Sequence, residues 1–304
     1  MKNYYRVMLG RKSIYASEAF EGGFIGADFS IHEDLSKKLP EQWRDFNRAF
    51  IPMFLEIHPD RNRIGAGLAM GMLWTVAKGI NTGDVVLSPD GEGGYRAGEV
   101  TGDYYYAPGG VLPHRRPVRW SEVTINRADM SEGLRNSCGS IGTSSQVSKH
   151  AEEIEQLLRG AIRPQPPDVE DPVAFALEKH LEDFLVQNWN RTELSREFDI
   201  YQEDGERVGQ QFPTDTGPID ILAISKDGKE LLVVELKRGR ASDVVVGQLL
   251  RYMGYVQDEL AESRQVVRGV VIALEDDQRL RRALAMVPAV RFYRYEVTFK
   301  LLPA

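Results

Sequence analysis

At 304 residues the chain exceeds what one hydrophobic core usually serves, so two domains are expected. Its composition, 42% hydrophobic and 27% charged with a net charge of -7, is that of a globular protein, and no apolar run nears the roughly 20 residues that span a bilayer, which argues against membrane insertion. The single cysteine, Cys138, rules out an internal disulfide, and no Cys/His cluster has zinc spacing.

The chain opens with "MKNYYRVMLGRKSIY", which lacks the basic start, apolar middle and cleavage site of a secretory signal. With the lone cysteine, this points to folded protein in the reducing cytoplasm. "DLSKKLPEQWRDFNRAFIPMFLE" and "GAGLAMGMLWTVAKGI" have helical periodicity, "GDVVLSPDGEGGYRAGEVTGDYYYAPG" has short strand-like runs broken by Gly, Pro and Asp, and "HRRPVRWSEVTI" reads as a further strand. The pattern suggests a small curved α+β barrel with helices outside. The region is rich in aromatics, Trp74, Tyr104, Tyr105, Tyr106 and Trp120, and its polar residues include Asp28 and Asp103. His114, Arg115, Arg116 and Arg119 lie within six residues. Strand alternation would put Arg115, Pro117 and Arg119 on one face and Arg116, Val118 and Trp120 on the other, so the segment is either a phosphate-contacting strand or an exposed charged edge. His114, without ligand partners, reads as a structural hydrogen bonder.

This region resembles the PUA-like or EVE-like modules that precede nuclease or motor domains in modification-dependent restriction systems, with "FIGADF" (Phe24–Phe29) matching the first strand of that fold. The resemblance implies a PUA-like barrel that recognises modified bases, for which Trp74, Tyr104, Tyr106, Arg115, Arg116, Arg119 and Trp120 are candidates to stack on a base or contact phosphate; the alternative for the aromatics is that they are core.

Pro164, Pro166 and Pro167 in "AIRPQPPDVED" stop the preceding helix and block its continuation. They divide the chain into residues 1–160, a Pro-rich linker over 161–171, and residues 172–304. The charge divides too: residues 1–165 hold 20 basic and 20 acidic side chains, leaving 18 and 25 for residues 166–304. An acidic second half is a poor non-specific nucleic-acid binder unless a local basic groove or a bound divalent metal offsets it. It opens with "PVAFALEKHLEDFLVQNW", a helix whose apolar stripe is Ala174, Leu177, Leu181, Phe184 and Leu185. Strands and helices then alternate to "VRFYRYEVTFKL", predicting an α/β sandwich with a mixed sheet.

Within it, "GPIDILAISKDGKELLVVELKRGR" (Gly217–Arg240) sets two apolar runs around a polar turn yet carries charge where a strand should bury its side chains. Asp227-Gly228 predicts a two-residue hairpin loop of the primed type. With that loop, Asp220 and Glu235 are each seven residues from it and stand opposite one another, their Cβ atoms about 5 Å apart. Lys237, two residues on, shares the face. The plain alternative is an edge-strand salt bridge facing water, against which the apolar "LLVV" run indicates a central strand. Two carboxylates this close in an apolar sheet call for a cation between them.

Asp followed by Glu-x-Lys on the next strand resembles the PD-(D/E)xK nuclease superfamily, and the run from "GQQFPTDTGPID" to "GQLLRYMGYV" resembles the nuclease domain of NucS/EndoMS-type DNA endonucleases over roughly residues 172–304. The resemblance implies a restriction-endonuclease-like sandwich in which Asp220, Glu235 and the Leu236 carbonyl bind Mg2+ or Mn2+, and Lys237 activates the attacking water. Gln248, one turn before Tyr252, would hold Lys237 or the scissile phosphate. It also calls for an acidic residue on the first helix, Glu182 or Glu178, of which "LEDFL" favours Glu182. The Pro of the family motif is Ile219 here, next to the ligand but not part of it.

Together these features predict a Mg2+-dependent endonuclease acting on double-stranded DNA with modified bases, as in restriction of phage DNA, and working as a homodimer if both strands are cut. A mismatch- or structure-directed repair endonuclease and a non-catalytic nucleic-acid reader are the rivals.

Overall fold

The computed structural model describes residues 2–139, 142–159, 181–203 and 205–296, apart from the side chains of Glu132 and Arg238. The Pro-rich linker, residues 172–180 with Glu178, and the end of the last expected strand lie outside the described residues. The chain forms two compact units, Met1–Pro167 and Asp168–Ala304.

The first unit is built on a seven-stranded mixed sheet. Its strands are β1 (Tyr4–Val7), β2 (Phe24–Ala27), β3 (Val85–Pro89), β4 (Gly94–Val100), β5 (Tyr105–Tyr106), β6 (His114–Asn126) and β7 (Ser144–Gln146). They run in the order β2-β6-β4-β3-β1-β7, with β5 paired to β6. β1 and β3 are parallel, whereas β3–β4, β4–β6 and β2–β6 are antiparallel. The element expected to open the fold, Phe24–Phe29, is thus the second strand, and "YYRV" is the first.

"YYRV" is buried throughout because the sheet is covered on both sides. Tyr5, Val7 and Val86 join a core with Phe46, Phe50, Phe54, Met70 and Leu73 from α2 (Trp43–Ile57) and α3 (Arg63–Trp74). Tyr4, Val85 and Leu87 join a second core with Leu134 and Ile154 from α4 (Glu132–Cys138) and α5 (Ala151–Leu158). The short α1 (Ala16–Gly22) ends on Gly23 in the left-handed conformation.

In the second unit the order is β13-β12-β11-β10-β8, with β9 also paired to β10. The strands are β8 (Phe198–Ile200), β9 (Gln210–Phe212), β10 (Ile219–Ser225), β11 (Glu230–Arg240), β12 (Val266–Glu275) and β13 (Val290–Arg294). β10 and β11 are antiparallel, whereas β11–β12 and β12–β13 are parallel, so the sheet is mixed as expected. β11 lies in the interior of the sheet, and every side chain from Leu231 to Leu236 is buried. That settles the edge-strand alternative against an exposed salt bridge.

The helices are α6 (residues 181–187), α7 (Asp243–Tyr255) and α8 (Gln278–Ala285). α7 lies on the sheet face that includes Val233 and its partner Gly269. A Cβ on Gly269 would come 2.9 Å from Leu249 Cδ2 and 2.6 Å from Met253 Sδ, so glycine there lets helix and sheet approach.

α6 departs from its expected stripe. Phe184 is 63% exposed, although Leu185 of the same stripe packs against the core; the buried positions are Glu182 and Val186, with Trp189 just beyond the helix continuing their spacing. The helix turns a carboxylate inward because two amide side chains from β9 receive it.

Candidate active site

The hairpin keeps the expected register with a different turn. Ile221 pairs with Val234 and Ile224 with Leu231, so by continuation Asp220 stands opposite Glu235. The loop is nonetheless four residues, 226–229, because the Asp227 carboxylate accepts from Ser225 Oγ at 2.7 Å and from Lys229 N at 3.1 Å. The Gly228 amide donates to Ser225 O at 2.8 Å, which closes a turn with Ser first and Gly fourth. A two-residue and a four-residue loop share one centre here, so the wider turn leaves the register untouched.

Glu235 is 1% exposed, and its Oε1 accepts from Lys237 Nζ at 2.7 Å. Asp220 Oδ2 accepts from the Leu236 amide at 2.7 Å, which ties this carboxylate to the peptide between Glu235 and Lys237. Immediately beyond Lys237 the pairing of β11 with β12 slips before resuming at Arg240, an irregularity of the kind that re-aims side chains beside active sites.

β9 completes the row. Its pairing, Ile219 with Phe212 and Ile221 with Gln210, puts Gln211 opposite Asp220. Gln211 holds φ 50°, a left-handed conformation costly for a non-glycine residue. Its Nε2 donates to Asp220 Oδ1 at 3.2 Å and to Glu182 Oε2 at 2.6 Å. Gln210 Nε2 donates to Glu182 Oε1 at 2.7 Å and to Asp183 Oδ1 at 3.0 Å. Glu182 is therefore linked to Asp220 through one amide. Burial, and then the charge of Asp220, push its pKa up to about 7 against the bonds from Gln210 and Gln211, which lower it.

These residues fit a divalent cation. Asp220, Glu235 and the Leu236 carbonyl offer only hard oxygen donors, the donor type that Mg2+ and Mn2+ take, and Glu182, raised by burial first and by the Asp220 charge after it, lies one amide away from Asp220.

Gln248 and Tyr252 lie one turn apart on α7, and Gln248 Nε2 donates to the Tyr252 hydroxyl at 3.3 Å, with Tyr252 itself buried. The sequence picked out Asp220, Glu235, Lys237 and Glu182, and missed Gln210 and Gln211. The signal available was "GQQF", two adjacent amides in a three-residue strand that nothing in the hydrophobic pattern marks.

In the first unit the candidate DNA-contacting residues are largely engaged within the chain. Trp74 Nε1 donates to Pro40 O at 2.9 Å, and Trp120 Nε1 to Ala19 O at 3.1 Å, with the Trp120 ring edge-on to Phe20. Arg116 is buried and bonds Ala77 O and Gly102 O. Arg115 lies over the Phe24 ring at 3.7 Å and bonds Val111 O and Leu112 O. Arg119 is exposed and pairs with Glu99 at 3.1 Å. Alternation along β6 holds, with Arg116 and Val118 facing inward. His114 is fully buried between Ile31 O and the Tyr104 hydroxyl, a structural role, and Tyr106 packs against its ring. Cys138 is buried, and burial pushes its thiol up to about 11, the setting of an inert packed cysteine.

Residues 181–295 match the family described as the Endonuclease NucS C-terminal domain, and residues 5–137 match a domain of unknown function, DUF8426. The Endonuclease NucS of Methanocaldococcus jannaschii is 33% identical over 80 residues, 26% of this chain and 29% of that protein. The Endonuclease NucS of Pyrococcus abyssi is 32% identical over 74 residues, 24% of this chain and 28% of that protein. The chain thus matches less than a third of the length of these curated relatives. Among solved structures, a complex of EndoMS with double-stranded DNA superposes at a TM-score of 0.33 and 16% identity, covering 71% of this chain and 66% of the other. A repair endonuclease from Pyrococcus abyssi superposes at 0.31 and 17%, covering 68% and 66%. TM-scores this low carry no weight for the fold. The second unit is similar in sequence to a NucS C-terminal domain, in agreement with the resemblance read from the hairpin.

Proposed function

We propose that the protein is a metal-dependent DNA endonuclease that hydrolyses phosphodiester bonds at the Asp220, Glu235 and Lys237 cluster. The observation that carries the reading is the meeting of these three groups on two paired interior strands, β10 and β11, within the segment that matches the NucS C-terminal domain. Asp220, Glu235 and the Leu236 carbonyl would hold Mg2+ or Mn2+, which supplies Lewis acidity and lowers the pKa of a bound water. Lys237, paired to Glu235, would orient that water and stabilise charge on the phosphate. Gln211 holds Asp220 in place and shares its amide with Glu182. Gln248, bonded to Tyr252 on the helix beside the sheet, would steady Lys237 or the phosphate.

The first unit selects the DNA in this reading, with base modification as the feature recognised, phage restriction as the setting, and a homodimer if both strands are cut. Mismatch or structure recognition is the second reading, the one that the NucS-like second unit taken alone would suggest. Cleavage of plain, base-modified and mismatched duplexes with Mg2+ or Mn2+, by wild type and Asp220→Ala, tests both. Wild type is expected to cut and the variant to lose at least about 100-fold in rate. No cutting with either metal, or equal cutting by Asp220→Ala, overturns the nuclease reading; the preferred duplex separates restriction from repair.

A further inference from the structure

A second cluster lies entirely in the first unit. Arg6, on β1, Lys12 and Arg127 line a cleft of about 370 Å³ together with Tyr95, Cys138 and the glycines of the β3–β4 turn. Arg6 is 2% exposed, and its Nη1 donates to Gly142 O. Its Nε is buried and has no acceptor among the described residues. The groups that act on it electrostatically are the Tyr95 hydroxyl and the Cys138 thiol. Burial raises the pKa of both, Cys138 to about 11, so both are neutral near pH 7 and neither balances the guanidinium. A guanidinium does not shed its proton even when buried, and burying it without a counter-charge is unfavourable.

The other two cations come from separate segments. Arg127 is exposed; its Nη1 donates to the Tyr95 hydroxyl at 3.2 Å, and its Nη2 lies 3.4 Å from where a Cβ on Gly139 would be. Lys12 is exposed and holds φ 55°. Asp90, in the turn beside the cleft, spends Oδ1 on the amides of Glu92 and Gly94 at 2.8 and 2.9 Å, and its Oδ2 lies against Gly94 of the lining, so it sets one negative charge against the three cations.

We propose that this cleft binds a phosphoryl oxyanion, with Arg6 as the buried anchor and Lys12 and Arg127 closing on the group from the rim. Three cations less the one charge of Asp90 leave an excess of two, which suits a phosphate group, and the forked donors of arginine match its oxygens. The phosphate comes either from a free mononucleotide or from the DNA backbone. The site does not depend on the nuclease reading.

Calorimetric titration of the full chain at constant ionic strength tests it, using inorganic phosphate, a nucleoside 5′-monophosphate and a short duplex without terminal phosphates. Two variants accompany wild type: Arg6→Met, and Lys12→Asn, an exposed change to a residue that tolerates positive φ. Wild type is expected to bind phosphate saturably, Arg6→Met to lose binding, and Lys12→Asn to weaken it about fivefold. Weakened mononucleotide binding with unchanged duplex affinity identifies a phosphomonoester. Weakened duplex affinity with a shallower salt dependence identifies the backbone. If phosphate and nucleotide bind no better than chloride and the duplex binds Lys12→Asn as tightly as wild type, the proposal is wrong.

Discussion

Glu182 shows how a single residue is held out of its ordinary state. It is 8% exposed, both its oxygens accept amide hydrogen bonds, and its pKa is still raised to about 7 because desolvation and the Asp220 charge outweigh those bonds. The folded protein therefore binds this proton more tightly than the unfolded chain does. The stability it contributes is complete below the unfolded pKa near 4.5 and is lost as pH rises through about 7. In chelator, Glu182→Gln is expected to be more stable than wild type at pH 8, by on the order of 2 to 3 kcal/mol, and equal to it near pH 4, as read by urea unfolding across pH. Gln211 is the complementary case, since its amide bridges Glu182 and Asp220 while its backbone holds φ 50°. Gln211→Ala is expected to weaken Mn2+ binding by about 10- to 100-fold in a titration while leaving the fold intact, as loss of a group that orients a ligand does.

At the scale of the element, the β10–β11 hairpin decides where the carboxylates meet. Its turn closes through Ser225 and Asp227, and Gly228 holds φ 73° with no atom near the position of a Cβ. The cost of a side chain there is backbone strain alone. Gly228→Ala is expected to destabilise the second unit by about 1 kcal/mol and Gly228→Asn by less, measured by chemical denaturation. Since the turn only supports the register, a nuclease rate unchanged by Gly228→Asn is also expected. α6 teaches a different lesson. Counting apolar residues puts Phe184 inside, yet the helix buries Glu182 and exposes Phe184, because β9 offers two amides to a carboxylate. Hydrophobic periodicity has no way to register polar groups that another strand supplies.

Across the whole molecule, the two units carry separate cores. Leu87 is buried in the first unit with Tyr95 and Ile125, and Leu232 in the second with Ile221 and Val270. Deleting either side chain to alanine is expected to cost about 2 to 5 kcal/mol in its own unit. Calorimetry should show Leu87→Ala lowering the melting of the first unit and Leu232→Ala that of the second; both variants lowering one common transition would show the units to unfold as one.

The sequence by itself determined the alternation of apolar and polar residues and the centre of the hairpin, and with them the mixed sheet, the interior strand and the opposition of Asp220 and Glu235. Those are local matters: a period of two and a turn of known centre fix which side chains share a face. Only the tertiary structure decided that Gln210 and Gln211 receive Glu182, that Arg116 and His114 are buried, and that Arg6, Lys12 and Arg127 ring one cleft. Each depends on segments far apart in the chain, and the energy of burying a charge depends on which partners those segments bring to it.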